Sequence, residues 1–592
     1  MGDTYESKAS VKNGVNRMIF VVLSILLEVL VILGLLFFTG MKAGWIYHLI
    51  RLVALVLVLR IYGSHKTASI RMTWIIVILL LPITGTTLYA LIGLNGHSLK
   101  MRKRYEDIDR VLFPLLPKNE EVAERARRRN KHLGGIVNYI RKQAGYPVYE
   151  NTKVTYYDDA EKGFEAQKAE LAKARKFIFM EYHAIEDAEC WHEIRDVLVD
   201  RVKAGVEVRV FYDDMGSLGF INTDFVTRTQ KLGIKCRVFN PFVPGLNLFL
   251  NNRDHRKITV IDGVVGFTGG YNLANEYFHR TEPFGFWKDT GLKLEGDAVQ
   301  SLTITFLEMW NAISEGDKDD DAFKQYLVSD DVRFWARTQS GQLESVENKL
   351  LGKAGADKLR GNKIRDLIRK EEQQLSESAA KHSEKVEEEL KGETAFATEN
   401  AAPEEAGKSR FGFVQPYADS PMDLVHVGED VYMMMAEGAH DYCWFVTPYL
   451  IITDEMCSAL SLAARRGVDV RIVTPGIPDK KIVYSMTRSY YNGLTRNGVR
   501  IFEYTPGFCH AKMSIADDVM ATCGTINMDY RSLYHHFENG CLYADCEAVA
   551  QTKRDFEEMF KVSNEVTEYY TSGQGAFQRF GQMLLRLAAP LM

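Results

Sequence analysis

Two stretches of the chain carry the same reactive side chains at the same spacing. The first is NNRDHRKITVIDGVVGFTGGYN at residues 251–272, and the second is PGFCHAKMSIADDVMATCGTIN at residues 506–527. The matched residues are His255 and His510, Lys257 and Lys512, Asp262 and Asp517, Gly269 and Gly524, and Asn272 and Asn527. Packing alone does not require that polar residues recur at identical intervals in two copies. The repeat therefore indicates a chemical role.

The residue types suit transfer of a phosphate-linked group. Each motif is strand-like, so its His and the Lys two residues further on project to one face. Two copies packed together would place two imidazoles and two ammonium groups in one pocket. The lysines would hold a phosphate anion, and Asn272 and Asn527 would add neutral donors. One His would attack phosphorus to give a phosphohistidine, while the other would move protons on the leaving and incoming alcohols.

We expect no metal and no organic cofactor in this chemistry. The Lys and Asn side chains already neutralise the equatorial oxygens of a transferring phosphate. Each His also needs an acceptor on its second ring nitrogen to fix its tautomer. Two carboxylates that precede the last strand of each repeat are candidates for this role, Asp289 and Glu538.

Alternating strands and helices surround each motif. In the first half, KFIFMEYH at 176–183, GVEVRVFYDD at 205–214 and GIKCRVFNP at 233–241 are typical of strands. In the second half, DYCWFVTPYL, RRGVDVRIVTPG and NGVRIFEYTPG follow in the same order. The pattern predicts an α/β fold with two duplicated domains packed about a pseudo-twofold axis.

The N-terminal region is apolar enough to enter a membrane. Residues 18–40 contain one charge and residues 72–94 contain none, and each segment can cross a bilayer of about 30 Å. The segment 45–62 is ambiguous because Arg51 interrupts it, so it is either a third span or an interfacial helix. Basic clusters at 8–17 and 100–104 flank the region, and both favour the cytoplasm. We predict two spans, with the catalytic domains in the cytoplasm.

The composition divides the rest of the chain. We predict linker helices at 96–145 after the membrane-anchoring region 1–95, a first domain at 146–339 and a second at 410–570. The segment 340–409 is rich in Glu, Lys, Ala and Ser and cannot bury enough apolar surface to fold compactly. Residues 571–592 form an amphipathic tail.

Charge and cysteine content exclude other classes. The net charge of −5 and the pI near 6.3 do not provide the basic surface that nucleic-acid binding requires. The eight cysteines show no zinc-type spacing and are typical of reduced thiols. We expect no nucleic-acid partner, and the oligomeric state stays open.

The two motifs resemble the HxK(x)4D signature of the phospholipase D superfamily. More narrowly, the chain resembles bacterial cardiolipin synthases in LLLPITGTTLYALIG, YDDMGSLG, FTGGYNLANEY, FVTPYL and TRSYYNGL. Gly270 and Thr525 stand where the superfamily usually has Ser. The resemblance implies an enzyme of the bacterial inner membrane that acts on phosphatidylglycerol and contacts other membrane lipids.

The resemblance also implies roles for the matched residues. His255 would take the phosphatidyl group from one phosphatidylglycerol and release glycerol, and a second phosphatidylglycerol would accept the group to give cardiolipin. His510 would act as the acid and base. Asp262 and Asp517 belong to the catalytic motif, but we expect them to brace the loop after the strand.

Other functions fit parts of the pattern. A membrane-bound phospholipase D would use the same residues with water as acceptor and release phosphatidic acid, and exclusion of water separates the two reactions. A nuclease of the superfamily fits the apolar N-terminus and the acidic charge less well. A membrane scaffold without activity would not need two intact His–Lys pairs.

Overall fold

The computed structural model describes most of the chain. The described residues are 26, 30, 44–64, 67–90, 96–241, 252–314, 320–327, 411–423 and 425–572, with 581, 582, 585, 586 and 589 in the tail. The predicted span at 18–40, apart from positions 26 and 30, and the charged insert at 340–409 lie outside the described residues. Most of the predicted tail at 571–592 does so too.

Three helices form the described part of the N-terminal region. They are α1 Gly44–Tyr62, α2 Ala68–Leu80 and α3 Pro82–Leu88. The ambiguous segment at 45–62 is therefore helical. The prediction of one continuous helix across 72–94 is wrong, because α2 ends at Leu80 and α3 begins at Pro82. Within the described ranges, no helix is both long enough and apolar enough to cross a membrane.

Pro82 and Gly85 explain the interruption. Proline lacks a backbone N–H and cannot extend a preceding helix, but it suits the first turn of a new one. The chain then folds back so closely that a Cβ at Gly85 would lie 2.6 Å from the carbonyl oxygen of Val77 and 2.7 Å from Ile78 Cα. Glycine at position 85 therefore permits α3 to pack directly on α2.

Three helices occupy the region of the predicted linker, and they pack on both domains. They are α4 Gly96–Leu112, α5 Glu120–Arg129 and α6 Lys131–Gln143. On α4, the Tyr105 ring stacks on Phe537 of the second domain at 5.0 Å between centroids. The Tyr105 hydroxyl lies 3.0 Å from the sulfur of Met309 in the first domain. Helix α4 therefore braces the strand that carries Glu538.

The first domain is a mixed seven-stranded sheet with helices against it. Its strands are β1 Thr152–Tyr157, β2 Phe177–Tyr182, β3 Glu207–Asp213, β4 Lys235–Phe239, β6 Lys257–Ile261, β7 Val265–Gly269 and β8 Gly291–Gly296, and the two-residue β5 Arg253–Asp254 leaves this sheet. Its helices are α7 Ala160–Leu171, α8 Glu189–Lys203, α9 Phe225–Lys231, α10 Val299–Ile313 and α11 Asp320–Lys324. The order across the sheet is β1-β8-β7-β6-β2-β3-β4. The predicted strands correspond to β2, β3 and β4.

The second domain repeats this order. Its strands are β9 Phe413–Asp419, β10 Tyr442–Val446, β11 Asp469–Pro475, β12 Arg500–Tyr504, β13 Met513–Ala516, β14 Met520–Gly524, β15 His536–Ala544 and β16 Ser563–Glu565. Its helices are α12 Val427–Gly438, α13 Asp454–Arg465, α14 Lys481–Thr495, α15 Tyr530–Tyr534, α16 Glu547–Lys561 and α17 Thr567–Ser572. The order β9-β15-β14-β13-β10-β11-β12 matches the first sheet strand for strand. The sequence duplication is therefore a duplication of fold.

The apolar interior continues from one domain into the other. Helix α10 is buried along nearly its whole length, from Val299 to Ala312. Phe306 on this helix stacks on Phe179 of β2 at 4.5 Å between centroids. Burial of such side chains is worth about 1.5–3 kcal/mol each, so the helix anchors the sheet that carries the first motif.

Candidate active site

Reciprocal backbone contacts bring the two motifs together. Strand β5 leaves its own domain and pairs with β15 of the other, and the His255 N–H donates to the Phe537 carbonyl at 2.9 Å. In the equivalent contact of the other repeat, the His510 N–H donates to the Lys288 carbonyl at 2.7 Å. Each motif is therefore fixed to the chain just before the carboxylate of the opposite repeat. These exchanged contacts relate the two domains as a twofold axis would.

The histidine–carboxylate pairs cross between the domains. His255 Nδ1 lies 2.9 Å from the Glu538 carboxylate, and His510 Nδ1 lies 2.7 Å from Asp289 Oδ2. Both carboxylates are fully buried, and both imidazoles are less than a tenth exposed. The sequence identified Asp289 and Glu538 as candidates to orient the histidines, but not which His each one serves. The structure assigns each carboxylate to the His of the other repeat.

Both lysines turn back toward their own histidines. Lys257 Nζ donates to the His255 carbonyl at 2.6 Å, and Lys512 Nζ donates to the His510 carbonyl. Lys512 Nζ also lies 2.8 Å from His510 Nδ1, so Asp289 and Lys512 compete for this nitrogen. Burial lowers the pKa of Lys257 to about 7 and that of Lys512 to about 8. An anion between the two lysines would stabilise their charged forms.

The histidines lie in a site that disfavours positive charge. Burial, followed by the charges of the two lysines, holds the pKa of His255 and of His510 well below the usual range. Both imidazoles are therefore neutral near pH 7, as a nucleophile requires. Burial raises the pKa of Asp289 to about 6, while the nearby Lys512 opposes this shift.

Asn272 and Asn527 differ in their contacts. Asn272 donates to the Tyr277 hydroxyl at 2.7 Å and accepts from the Ala184 N–H at 3.1 Å. In the described part of the chain, the buried Oδ1 of Asn527 has no hydrogen-bond partner. Asn272 is thus held by the protein through both ends of its amide, while the amide oxygen of Asn527 can still accept a hydrogen bond.

Asp262 and Asp517 are not in the pocket. Each follows the last residue of its strand, about 16 Å along β6 from Lys257 in the first repeat at roughly 3.3 Å per residue. Each carboxylate accepts three backbone N–H groups at 2.7–2.9 Å at the start of the neighbouring strand. The donors are Arg175, Lys176 and Phe177 for Asp262, and His440, Asp441 and Tyr442 for Asp517. Although both belong to the motif, they brace the entry to β2 and β10.

We expect Asp262→Ala and Asp517→Ala to lower the free energy of unfolding by about 1–3 kcal/mol each. Three donors lose their acceptor, and Ala would have to adopt the left-handed backbone seen at Asp262 and Asp517, φ 53° and 51°. Denaturant unfolding of the full chain in detergent measures this loss. Asn tolerates the same backbone and is the matched control, with a smaller loss expected. Large loss of turnover with unchanged stability would place these residues in the chemistry instead.

Arg256 lies between His255 and Lys257 but points away from the pocket. Its guanidinium is buried against Glu181 at 2.7 Å and against Asp254 and Glu308 at 3.3 Å. Removal of one partner from such a buried group costs about 3–5 kcal/mol, because the other charges stay buried. The ion cluster therefore fixes the segment that presents the first motif. Sequence analysis did not identify the cluster, although an Arg between the motif His and Lys, where the second repeat has Ala511, was a visible signal.

The residue after the motif glycine differs between the repeats for a steric reason. A Cβ at Gly270 would lie 2.0 Å from Asp289 Oδ1. In the second repeat, Thr525 occupies the matching position and its hydroxyl donates to Glu538 at 2.5 Å. The short Asp thus requires glycine, while the Glu accepts a hydroxyl. Gly270 and Thr525, which depart from the usual Ser, are fitted to their own carboxylates.

The surroundings of the two histidines are chemically different. Near His255 lie two further imidazoles, His183 at 4.9 Å and His536 at 5.5 Å between ring centroids. Near His510 lie aromatic side chains, Tyr277 at 5.4 Å and Trp287 at 5.5 Å. Sequence analysis missed His183 and His536. Alignment of the repeats supplies the signal for His536, since Trp287 stands at its place.

One set of side chains could hold a metal ion. Donor atoms of His255, His536 and Glu538 all lie within 4.8 Å of one another. Imidazole and carboxylate are the donor types that zinc accepts.

Known proteins match this arrangement. A family model described as the phospholipase D-like domain of cardiolipin synthase matches twice, at residues 168–310 and 432–560. A Streptococcus mutans protein, named only as uncharacterized, is 36% identical over 535 residues, which cover 90% of this chain and 99% of the relative. Cardiolipin synthase 2 of Bacillus cereus is 28% identical over 533 residues, covering 90% of this chain and 88% of the relative. Cardiolipin synthase of Halalkalibacterium halodurans is 26% identical over 583 residues, covering 98% and 100%.

The duplicated α/β fold and the paired HxK motifs define a phosphatidyl-transferring protein of the phospholipase D type. With the matches to both repeats and to relatives along nearly the whole chain, the chain belongs to the cardiolipin synthase family.

Proposed function

We propose that the protein joins two phosphatidylglycerol molecules to give cardiolipin and glycerol. The observation that carries this proposal is the pair of buried histidines, each held by a carboxylate of the other repeat at 2.9 and 2.7 Å. With Nδ1 committed to the carboxylate, Nε2 is the ring nitrogen that remains for phosphorus or for a proton. Two such groups in one pocket provide a nucleophile and an acid–base partner.

In the first step, His255 Nε2 attacks the phosphorus of phosphatidylglycerol. The P–N bond forms as the P–O bond to glycerol breaks, and His510 donates a proton to the departing oxygen. The phosphodiester brings a negative charge that favours a protonated His510 in the complex. Resemblance to the superfamily supports the order of the two roles, and the geometry allows either.

In the second step, a hydroxyl of another phosphatidylglycerol takes the place of the lost glycerol. His510 removes its proton, the oxygen attacks phosphorus and the P–N bond breaks. One phosphodiester is exchanged for another, and His255 is regenerated. Both steps balance without an oxidant, a reductant or a nucleotide.

The two lysines provide the site for the phosphate. Lys257 and Lys512 are fully buried, and each is tied to a backbone carbonyl that a phosphate oxygen can replace. When Lys512 turns to the phosphate, it leaves His510 Nδ1 to Asp289 alone. The tautomer needed for proton transfer at Nε2 is thus favoured once substrate is bound. We assign Asn272 and Asn527 to the same phosphate as neutral donors through their amide N–H groups; in Asn272 this is the second N–H, since the first donates to Tyr277.

We infer that the N-terminal helices hold the protein at a membrane. Helix α1 exposes Leu52, Leu55 and Leu59, which are 52–63% exposed, and α2 ends in Leu80, which is 72% exposed. Water contact of so much apolar surface is unfavourable, while contact with lipid is not. This placement in the bacterial inner membrane would keep both lipid substrates at high local concentration.

Product analysis tests the proposed reaction. In vesicles of phosphatidylglycerol, we expect cardiolipin and glycerol in equal amounts and little phosphatidic acid. Excess glycerol is expected to convert cardiolipin back to phosphatidylglycerol, because the exchange of one phosphodiester for another has little net cost. Labelled glycerol and lipid chromatography measure both directions. Phosphatidic acid as the main product, without reversal by glycerol, would assign the chain to the hydrolytic phospholipases D.

A further inference from the structure

The side chains beside His255 have the geometry of an incomplete metal site. The Glu538 carboxylate lies 2.9 Å from His255 Nδ1 and 3.6 Å from His536 Nδ1. Zinc bonds of about 2.0–2.2 Å hold tetrahedral donor atoms roughly 3.3–3.6 Å apart. The observed donors, all within 4.8 Å of one another, reach that spacing with small side-chain rotations.

His536 packs beside His255 and Glu538. Neither of its buried ring nitrogens forms a hydrogen bond within the described part of the chain. The Glu538 carboxylate lies 3.6 Å from Nδ1, which is too far for a hydrogen bond, so the buried ring lacks the hydrogen bonds that would offset its burial. The side chain as a whole is 12% exposed, although both ring nitrogens are buried. An ion bound to the ring would satisfy this group.

On the His510 side of the pocket, the described residues offer no such set of donors. Because Glu538 corresponds to Asp289, His536 corresponds to Trp287. The Trp287 ring packs 5.5 Å from His510 between centroids and offers no metal ligand. Among the described residues, the set with three suitably placed donors is on the His255 side. The second imidazole is therefore a property of one repeat and not of the duplicated scaffold.

We propose that His255, His536 and Glu538 bind a divalent transition-metal ion of the zinc class and that this ion inhibits the enzyme. Two imidazoles and one carboxylate favour Zn²⁺, Cu²⁺ or Ni²⁺ over Mg²⁺ and Ca²⁺, which prefer oxygen donors. A bound ion would coordinate the His255 ring and Glu538, the carboxylate that orients this ring. The inhibitory part of this inference rests on the proposed function, whereas binding of the ion does not.

Direct binding tests the site without any assay of turnover. The purified full chain, freed of metals with a chelator, is titrated with Zn²⁺ by calorimetry and with Co²⁺ by visible absorption. We expect one ion per chain, and a loss of affinity of roughly tenfold or more in His536→Asn, since even loss of outer-sphere partners costs 10–100-fold. His535→Asn is the matched control, because it removes the adjacent imidazole and should bind as the wild type does.

Should His536→Asn fold poorly by circular dichroism, His536→Gln repeats the test. Wild-type affinity in a folded His536 variant, or loss of affinity in His535→Asn, would overturn the proposed site.

Inhibition is measured separately with phosphatidylglycerol vesicles. We expect Zn²⁺ to stop cardiolipin formation by the wild type, and a chelator to restore it. Measured relative to its own turnover without metal, His536→Asn should need roughly tenfold more Zn²⁺ for half inhibition than the wild type. Equal sensitivity of the two proteins would refute inhibition through this site. If phosphatidylglycerol is not a substrate at all, the binding titrations still decide whether the ion site exists.

Discussion

His255→Ala and His510→Ala should each lower the formation of cardiolipin by about 10⁴-fold to 10⁶-fold. His255→Ala removes the atom that forms the bond to phosphorus, and His510, the other imidazole held by a carboxylate, is left with its acid–base role alone. His510→Ala removes the acid that releases glycerol and the base that activates the incoming hydroxyl. His192→Ala is the control, because His192 lies on helix α8 and pairs with Asp187. The His192 side chain is 42% exposed.

The two variants differ in what they leave on the protein. Brief incubation with phosphatidylglycerol labelled in its acyl chains, followed by rapid denaturation and peptide mass analysis, detects a phosphatidyl adduct. We expect an adduct on His255 in the His510→Ala protein, since attack at phosphorus still occurs slowly and the second step lacks its base. His255→Ala should carry none. An adduct on His510 in the His255→Ala protein would reverse the two roles.

Much of the fold follows from the sequence because the signal is repeated. Strands β2, β3 and β4 are short apolar runs between charged helical segments, and the second domain presents equivalent runs in the same order. Two equal copies must bury similar faces, so a common fold and a shared pocket are the simplest outcome. The His and Lys residues are recognisable because two identical spacings have little chance of arising from packing.

The pairing across the domains could not be read from the sequence. Asp289 and Glu538 stand at matching positions in the two repeats. The sequence therefore looks the same whether each carboxylate orients the His of its own repeat or the His of the other repeat. The pairing across the domains depends on β5, a two-residue strand of the first repeat that joins the sheet of the second domain. His255 also lies between β5 and β6, whereas the sequence placed it inside a strand. Such a short strand has no periodicity to detect.

The break between α2 and α3 was not predicted, for a related reason. Apolar content indicates affinity for lipid or for a protein core, but it does not show where a helix ends. Pro82 ends α2, and the close approach at Gly85 to Val77 depends on contacts made only after folding. The packing of Tyr105 against Phe537 is also invisible in a sequence that reads simply as a charged helix.

Asp289→Asn should reduce turnover by about 10³-fold to 10⁴-fold, as loss of the carboxylate does in other histidine–aspartate pairs. The reason is that the two carboxylate oxygens of Asp289 have different partners. Oδ1 accepts the Thr290 N–H at 2.9 Å, while Oδ2 contacts His510 Nδ1 at 2.7 Å. In the Asp289→Asn protein, the amide oxygen would stay with that N–H, and the amide NH₂ would face His510. The imidazole would then carry its proton on Nε2 and could not act as a base there.

Glu538→Gln should be milder, because the local contacts do not fix the orientation of the amide. His255 Nδ1 lies 2.9 Å from both oxygens of Glu538. The Thr525 and Ser532 hydroxyls that contact these oxygens can act as donors or acceptors. The new amide can therefore place its oxygen toward His255, and we expect a loss of about 10-fold to 10²-fold. A larger loss than in Asp289→Asn would contradict this account of the two pairs.

The pH profile separates loss of orientation from loss of structure. Burial raises the pKa of Asp289 to about 6, so in the free wild-type enzyme this carboxylate becomes protonated as pH falls below about 6. Protonation removes the acceptor for His510 Nδ1, and kcat/KM should fall on that acid side. Asp289→Asn has no ionisable side chain at this position, so the pH profile of its residual activity should lack this fall on the acid side. Glu295→Gln is the control, because Glu295 pairs with Lys293 on strand β8. It should keep both the wild-type rate and the fall in kcat/KM on the acid side. A variant that is slow but keeps the wild-type acid limb would show that Asp289 supports the pocket only through packing, since the ionisation controlling the rate would then belong to another group.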